Sequence, residues 1–193
     1  MNIPVIVFSR APVPGRVKTR IAARLGAWRA ARLHLRLTRL ALRTAHAAAC
    51  GPVELHVTAR HRAFPRNEKK FLQRGNNLGE RMYRALHRHK RAILIGSDCP
   101  ALRAADLRAA ARRLRAGYRV VLAPAEDGGY ALIAARSAPR ALFEGIAWGG
   151  PEVFAETLRR LRDLRSCVLR TLWDVDRPED LERLRAMLFT RRY

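Results

Sequence analysis

Four short stretches of the chain carry side chains whose types and spacing could do chemistry. Asp98 stands in Gly96-Ser97-Asp98-Cys99-Pro100, directly after the apolar run Ala92-Ile93-Leu94-Ile95. A carboxylate leaving the end of a buried strand suits a hard divalent cation, and it also suits the start of the helix that begins at Ala104-Ala105-Asp106-Leu107. A second stretch, residues 9 to 20, is a Pro- and Gly-containing loop with four cations, Arg10, Arg16, Lys18 and Arg20. A loop passing from strand to helix offers free backbone N–H groups and the positive end of a dipole, which describes a phosphate cradle. It is not a Walker A loop, because the early glycine is missing and Lys18 follows Gly15 by three residues; a solvated basic loop is the alternative.

The third stretch, Ala125-Glu126-Asp127-Gly128-Gly129-Tyr130, places acids and two glycines after a strand, where the backbone turns sharply or approaches a ligand; a simple turn is the other reading. In the fourth, Trp173-Asp174-Val175-Asp176-Arg177-Pro178-Glu179, Asp176 and Glu179 have capping-box spacing, so capping leads and a second metal contact comes behind it. Cys99 has no neighbouring histidine and reads as a buried thiol rather than a nucleophile. His87 and His89, two apart, do not converge on a helix, and His56 and His61 lack partners at metal spacing.

The elements that must position these residues alternate regularly. Ile3 to Phe8 reads as a first strand, Ala27 to Ala49 as a helix with Leu33, Leu37, Leu40 and Ala41 on one side and an arginine stripe on another, and Val53 to Thr58 as a second strand. Residues 60 to 74 read as a connecting excursion with a short helix near Lys69 to Leu72. A helix follows Asn77, with Met82, Ala85 and Leu86 inward. The non-alternating run before Asp98 reads as a strand buried on both faces. Beyond it come a helix to Ala116, strands over 118–124 and 130–134, a helix opened by Pro151 and running to about Leu164, a strand over 167–172 and a final helix. Strands alternating with helices predict an α/β three-layer sandwich with a mostly parallel, mixed sheet, and 193 residues suit a single domain over 1–193.

Composition bounds the partners. The formal net charge is +23, almost wholly from arginine, since there are only four lysines. Such a field attracts nucleotides, nucleic acid or anionic surfaces without choosing among them. Aromatics make up 7% and do not interleave with the cations, so a stacking platform for single-stranded nucleic acid is unsupported and specific nucleic-acid binding is not expected. Three cysteines, Cys50, Cys99 and Cys167, without paired spacing argue for a reducing compartment, hence a cytoplasmic location. The apolar segment Ile3 to Phe8 is too short for a signal peptide, and no run reaches membrane-spanning length.

Segments 11–20, 78–82, 95–100, 124–130 and 174–181, in this order, closely resemble the bacterial DUF2064 family, also labelled a family of arsenosugar-associated glycosyltransferases. The resemblance covers nearly the whole chain. That family belongs to the superfamily with the GT-A fold, which also holds 2-phospho-lactate and molybdenum-cofactor guanylyltransferases and sugar-nucleotide pyrophosphorylases. The resemblance implies a nucleotide over the first strands, bound by Arg10, Ala11, Gly15, Arg16, Lys18, Arg20 and Gly79. It implies Mg²⁺ or Mn²⁺ held by Asp98, with Asp176 completing the site, and an acceptor facing Asp127, Gly128, Gly129 and Tyr130. Asp98, Lys18 and Asp127 would carry catalysis. This chain has Arg10 where the family often has Lys, Asn77 where it often has Asp, and Gly150 where a hydroxyl residue is usual.

The expected activity is a metal-dependent, nucleotide-using transferase acting on a small-molecule acceptor, with a nucleoside triphosphate or a sugar nucleotide as donor. A triphosphate and departing pyrophosphate present the larger anionic load, which the basic loop suits, whereas the family label leans to glycosyl transfer. The alternative from another class is a polyanion- or nucleic-acid-binding protein with a degenerate site, resting on the +23 charge. The residues leave the oligomeric state open.

Overall fold

The computed structural model describes residues 2–190, with side chains through Leu188. The chain forms β1 (Val5–Ser9), α1 (Thr19–Leu25), α2 (Ala27–Ala48), β2 (Val53–Val57), β3 (Lys69–Leu72), α3 (Leu78–His87), β4 (Arg91–Gly96), α4 (Ala104–Arg115), β5 (Val120–Pro124), β6 (Tyr130–Arg136), α5 (Val153–Arg159), β7 (Ser166–Val168) and α6 (Asp180–Thr190). The strands make one sheet in the order β3-β2-β1-β4-β6-β5-β7. All neighbours are parallel except β6, which runs antiparallel between β4 and β5. This is the expected α/β sandwich with a mostly parallel, mixed sheet.

Burial on both faces explains the unbroken apolar runs. In β1 every residue is buried, and so are Ala92 to Ile95 in β4. One face, with Val5, Val7, Leu55, Ile93 and Ile95, packs on α2 and α4 through Leu42, Ala45, Leu107, Ala111 and Leu114. The other, with Ile6, Leu94, Leu122 and Ile133, packs on Met82, Ala85 and Leu86 of α3 and on Leu142, Phe143 and Leu161. Each fully buried Leu or Ile is worth about 1.5–3 kcal/mol of transfer free energy. A third, smaller cluster of Ile21, Leu37, Val175 and Leu184 joins α1, α2, α6 and the segment before α6.

Strand direction decides where the chemistry gathers. The loop after β1, the turn after β4 and the β5–β6 turn all leave the sheet at one edge, since β6 begins where the parallel strands end. The segment after β7 is clamped to that edge by three main-chain bonds: Leu172 N–H to Pro124 O, Glu126 N–H to Leu172 O and Val175 N–H to Asp98 O.

Two local readings differ from expectation. Lys69 to Leu72 is not a helix but edge strand β3, pairing parallel with β2 from Glu54 to Val57. An edge strand carrying lysines resists further pairing, and its exposure on both sides erases the alternation that would mark it. The two predicted segments before the final helix shorten: α5 ends at Arg159 and β7 covers only Ser166–Val168. Among the described residues no helix is long and apolar enough to cross a membrane.

Candidate functional site

A cleft of about 340 Å³ opens at that sheet edge, lined by residues from every loop just named, among them Arg10, His34, Asp98, Asp127, Tyr130, Trp148 and Asp174. Ligands in open α/β sheets bind at this position, outside the carboxyl ends of the strands. A larger groove between α2 and α6 is lined by leucines and arginines, whereas the smaller cleft gathers the carboxylates.

Lys18 dominates the electrostatics. It adopts the left-handed conformation, φ 50° and ψ 44°, immediately before α1. Its Nζ lies 2.7 Å from Asp98 Oδ2 and 3.9 Å from Asp176 Oδ1, with the lysine side chain only 4% exposed. Non-glycine residues rarely occupy this conformation, and here it carries a buried ammonium to a half-exposed carboxylate. Asp98 Oδ1 accepts from Ser97 Oγ at 3.1 Å and faces His34 Nδ1 at 3.6 Å. Burial opposes the Asp98 charge, but Lys18 and His34 overcome it and hold the carboxyl well below the usual range. His34 is fixed in turn, its Nε2 2.9 Å from Arg10 O and 3.1 Å from Ser9 Oγ. Asp98 caps no helix: at the start of α4 it is Asp106 Oδ2 that accepts from the Arg103 N–H.

Asp176 does not cap either. Its carboxylate pairs with Arg20 at 2.5 Å as well as with Lys18, while Asp180 Oδ2 accepts the N–H groups of Asp176 and Arg177. Asp174 enters the same cleft. Burial, then the charges of Asp127 and Asp98, push its carboxyl up to about 6, with Lys18 opposing. Its place two residues before Asp176 was visible in the sequence, but nothing there marked it as half-buried within the field of two other acids. His34 was equally hidden, as one polar residue on the inner face of α2.

In the turn between β5 and β6, Asp127 is exposed and its Oδ1 accepts the Gly129 N–H at 2.9 Å, closing an Asx turn. Gly128, at φ 88°, lies so close to the Pro151 carbonyl that a Cβ would sit 2.6 Å from its carbon. The Tyr130 ring lines the cleft, but its hydroxyl is buried beside Thr157 of α5, and burial pushes the phenol above its ordinary range.

The expected nucleotide residues separate into three groups. Lys18 and Arg20 reach the acids, and Arg10 is exposed at the cleft wall. Gly15 (φ 77°) and Arg16 are exposed on the loop, where Arg16 makes no side-chain hydrogen bond or ion pair among the described residues; Ala11 is buried and its N–H donates to Thr58 Oγ1. Gly79 is buried in the first turn of α3 against the Trp148 indole, and a Cβ there would collide with it. That glycine shapes the cleft wall through Trp148. Cys99 is buried and its thiol pushed up to about 12, so it is not a nucleophile at neutral pH.

Asp98 and Asp176 are the residues that would hold Mg²⁺ or Mn²⁺. The Lys18 ammonium sits between the two carboxylates, 2.7 Å from Asp98 Oδ2 and 3.9 Å from Asp176 Oδ1, so the place already attracts a cation. The all-oxygen donor set fits a hard divalent ion at that place. Among the described residues no group of three His, Cys, Asp or Glu side chains could hold a metal, so further ligands would come from donor phosphates and water.

The same fold recurs among solved structures. A protein from Desulfovibrio desulfuricans G20, described provisionally as a nucleotide-diphospho-sugar transferase, is 28% identical with a TM-score of 0.83, over 92% of this chain and 84% of its own. CMP:2-keto-3-deoxy-manno-octonic acid synthetase complexed with CTP is 14% identical with a TM-score of 0.63, over 99% of this chain and all of its own. Rv0371c of Mycobacterium tuberculosis H37Rv, in complex with manganese, is 17% identical with a TM-score of 0.57, over 95% and 98% of the two chains. Comparison with curated proteins yields no match. The fold is thus the GT-A-like fold of nucleotide-diphospho-sugar transferases. Residues 34–150 match the profile described as "Uncharacterized protein conserved in bacteria (DUF2064)", and the chain belongs to that family.

Proposed function

We propose that the chain is a nucleotide-using transferase working in this cleft, with a divalent cation at Asp98 and Asp176. The observation that carries the proposal is the meeting of Lys18, Asp98, Asp127, Asp174 and Asp176, from four separate loops, at the carboxyl edge of one sheet. The solved relatives carry CTP in one case and manganese in another, which supports the same ligands here.

Lys18, Arg20 and Arg10 would bind the donor phosphates, fixing the chain of phosphoryl groups across the end of β1. The cation, when bound, supplies Lewis-acid neutralisation of the phosphate oxygens. Asp127, solvent-facing and oriented by the Gly129 N–H, would accept the proton of an acceptor hydroxyl as that oxygen attacks. The Trp148 and Tyr130 rings, with centroids 6.4 Å apart and edge to face, would wall the acceptor from water. The acceptor is taken to be a small molecule because the cleft is about 340 Å³.

Nucleotidyl transfer is the subclass the residues favour. Arg10 and Arg16 have no acidic partner among the described residues, so the loop holds positive charge beyond what the two acids neutralise, a load suited to a triphosphate and its pyrophosphate product. Glycosyl transfer is the second reading, favoured by the likeness to the Desulfovibrio protein. Thermal shifts against nucleoside triphosphates and sugar nucleotides, each with and without Mg²⁺ or Mn²⁺, test the proposal, and the products separate the subclasses. Nucleotidyl transfer releases pyrophosphate; glycosyl transfer releases a nucleoside diphosphate. Stabilisation by no nucleotide under any metal condition would overturn both.

A further inference from the structure

Lys18 stands where the metal would go. Its Nζ is 2.7 Å from Asp98 Oδ2 and 3.9 Å from Asp176 Oδ1, the two carboxylates that would ligate a divalent ion. Mg²⁺ takes oxygen ligands at about 2.0–2.1 Å, and Mn²⁺ shares this preference for hard oxygen donors. A dication at that distance from Asp98 Oδ2 would lie within a few ångströms of a buried ammonium, in a place where charges are poorly screened. Both cannot remain on the same oxygen. Lys18 is also held by more than its charge, since its backbone is set in the left-handed conformation at the head of α1 and Ile21 on that helix is anchored in the cluster with Val175 and Leu184.

We infer that Lys18 is an internal competitor for the metal site, occupying Asp98 and Asp176 until donor phosphates draw its ammonium away. This inference rests on the divalent-cation reading above and adds the order of assembly. Metal alone must displace Lys18 and leave it buried without a partner, which costs much of the binding free energy. Phosphates arriving at the loop give Lys18 a new anion and free the carboxylates in the same move. Linkage then requires that phosphate and metal each raise the other's affinity, with Lys18 as the coupling element. The device would also keep the site from holding a bare cation with nothing to activate.

The consequence is a pair of effects of opposite sign from one substitution. Lys18→Met removes the competitor and one phosphate ligand together. Mn²⁺ binding in the absence of nucleotide should tighten by roughly tenfold or more, a coupling of ordinary allosteric size, while binding of inorganic tripolyphosphate without metal should weaken. A merely structural ion pair would weaken the fold and leave Mn²⁺ affinity no better.

The experiment is titration of Mn²⁺ alone, followed by the electron-paramagnetic-resonance signal of the free ion, into wild type, Lys18→Met, Lys18→Gln and the double variant Lys18→Met with Asp98→Asn. Lys18→Gln is included because a neutral side chain that still donates to Asp98 preserves folding if the methionine variant does not. Tighter Mn²⁺ binding in a Lys18 variant, lost again in the double variant, is the expected result. Equal affinity in wild type and both Lys18 variants, with loss in the double variant, would overturn the competitor role while leaving the metal at Asp98. Absence of Mn²⁺ binding in every protein at millimolar concentration would overturn the metal reading and the competitor with it.

Discussion

The main-chain N–H of Val175 donates to the carbonyl of Asp98 at 2.9 Å. This bond fixes the segment between β7 and α6 alongside the end of β4, with Val175 fully buried and Asp174 and Asp176 on either side of it. Two carboxylates far from Asp98 in sequence are thereby delivered to it.

Asp127→Asn should spare donor affinity and slow turnover by at least about a hundredfold, the lower range for loss of a general base. The turn itself survives, because the asparagine oxygen can still accept the Gly129 N–H. Steady-state kinetics together with calorimetric donor binding check this. A parallel fall in donor affinity would place Asp127 with the nucleotide or the metal instead.

Gly79→Val should destabilise the fold by about 1–3 kcal/mol, the usual cost of overpacking, because the added side chain meets the Trp148 indole. Urea denaturation measures the loss. Trp148 also stacks on Phe143, so the shift should propagate to the acceptor wall and raise the acceptor KM more than the donor KM. A variant of unchanged stability with weakened donor binding would return Gly79 to the nucleotide site.

Lys18→Ala should weaken nucleotide binding far more than Arg36→Ala at physiological salt. Arg36 is exposed on α2, where its charge is screened beyond about 8 Å. Equal losses, with affinity collapsing as salt rises and no effect of metal, would support a general polyanion surface.

Buried Glu54 and His56, with half-buried His89, set a pH dependence away from the cleft. Glu54 Oε2 lies 2.9 Å from His56 Nε2, and its Oε1 lies 3.3 Å from His89 Nε2. Burial lowers the His56 pKa below 6.5, against the pull of Glu54; burial also opposes the Glu54 charge, but the two histidines hold its pKa below 4.5. For both groups the unfolded chain binds protons first, so stability falls as pH drops, beginning below about 6.5 through His56. Asp174, raised to about 6, acts in the opposite sense, so the comparison must isolate the histidine. His56→Phe, which keeps the stacking with Phe8 and Phe71, should lose less stability than wild type between pH 7 and pH 5. Parallel curves for the two proteins would contradict the assignment.

Much of this was legible in the residues, for identifiable reasons. Strands β1 and β4 showed because burial on both faces leaves unbroken apolar runs, and Asp98 showed because it ends one of them. Strand β3 did not, since Lys69, Lys70 and Leu72 are exposed and no periodicity survives. The caps were misplaced because Asp106 and Asp180, one residue type with the same reach, took the work expected of Asp98 and Asp176. Only tertiary structure reveals that Lys18 in the first loop meets Asp98 and Asp176, and that the charge of Asp127 acts on Asp174.

Whether Asp98 holds a metal with a nucleotide in this cleft, as proposed, is tested most directly by calorimetry of the wild type and Asp98→Asn with Mn²⁺ and the nucleotide that gives the largest thermal shift. The account predicts metal-dependent affinity in the wild type that is lost in Asp98→Asn, with turnover down by roughly a hundredfold or more, as for loss of a transition-state stabiliser. Metal-dependent affinity unchanged in the variant would remove Asp98 from the site and contradict the account.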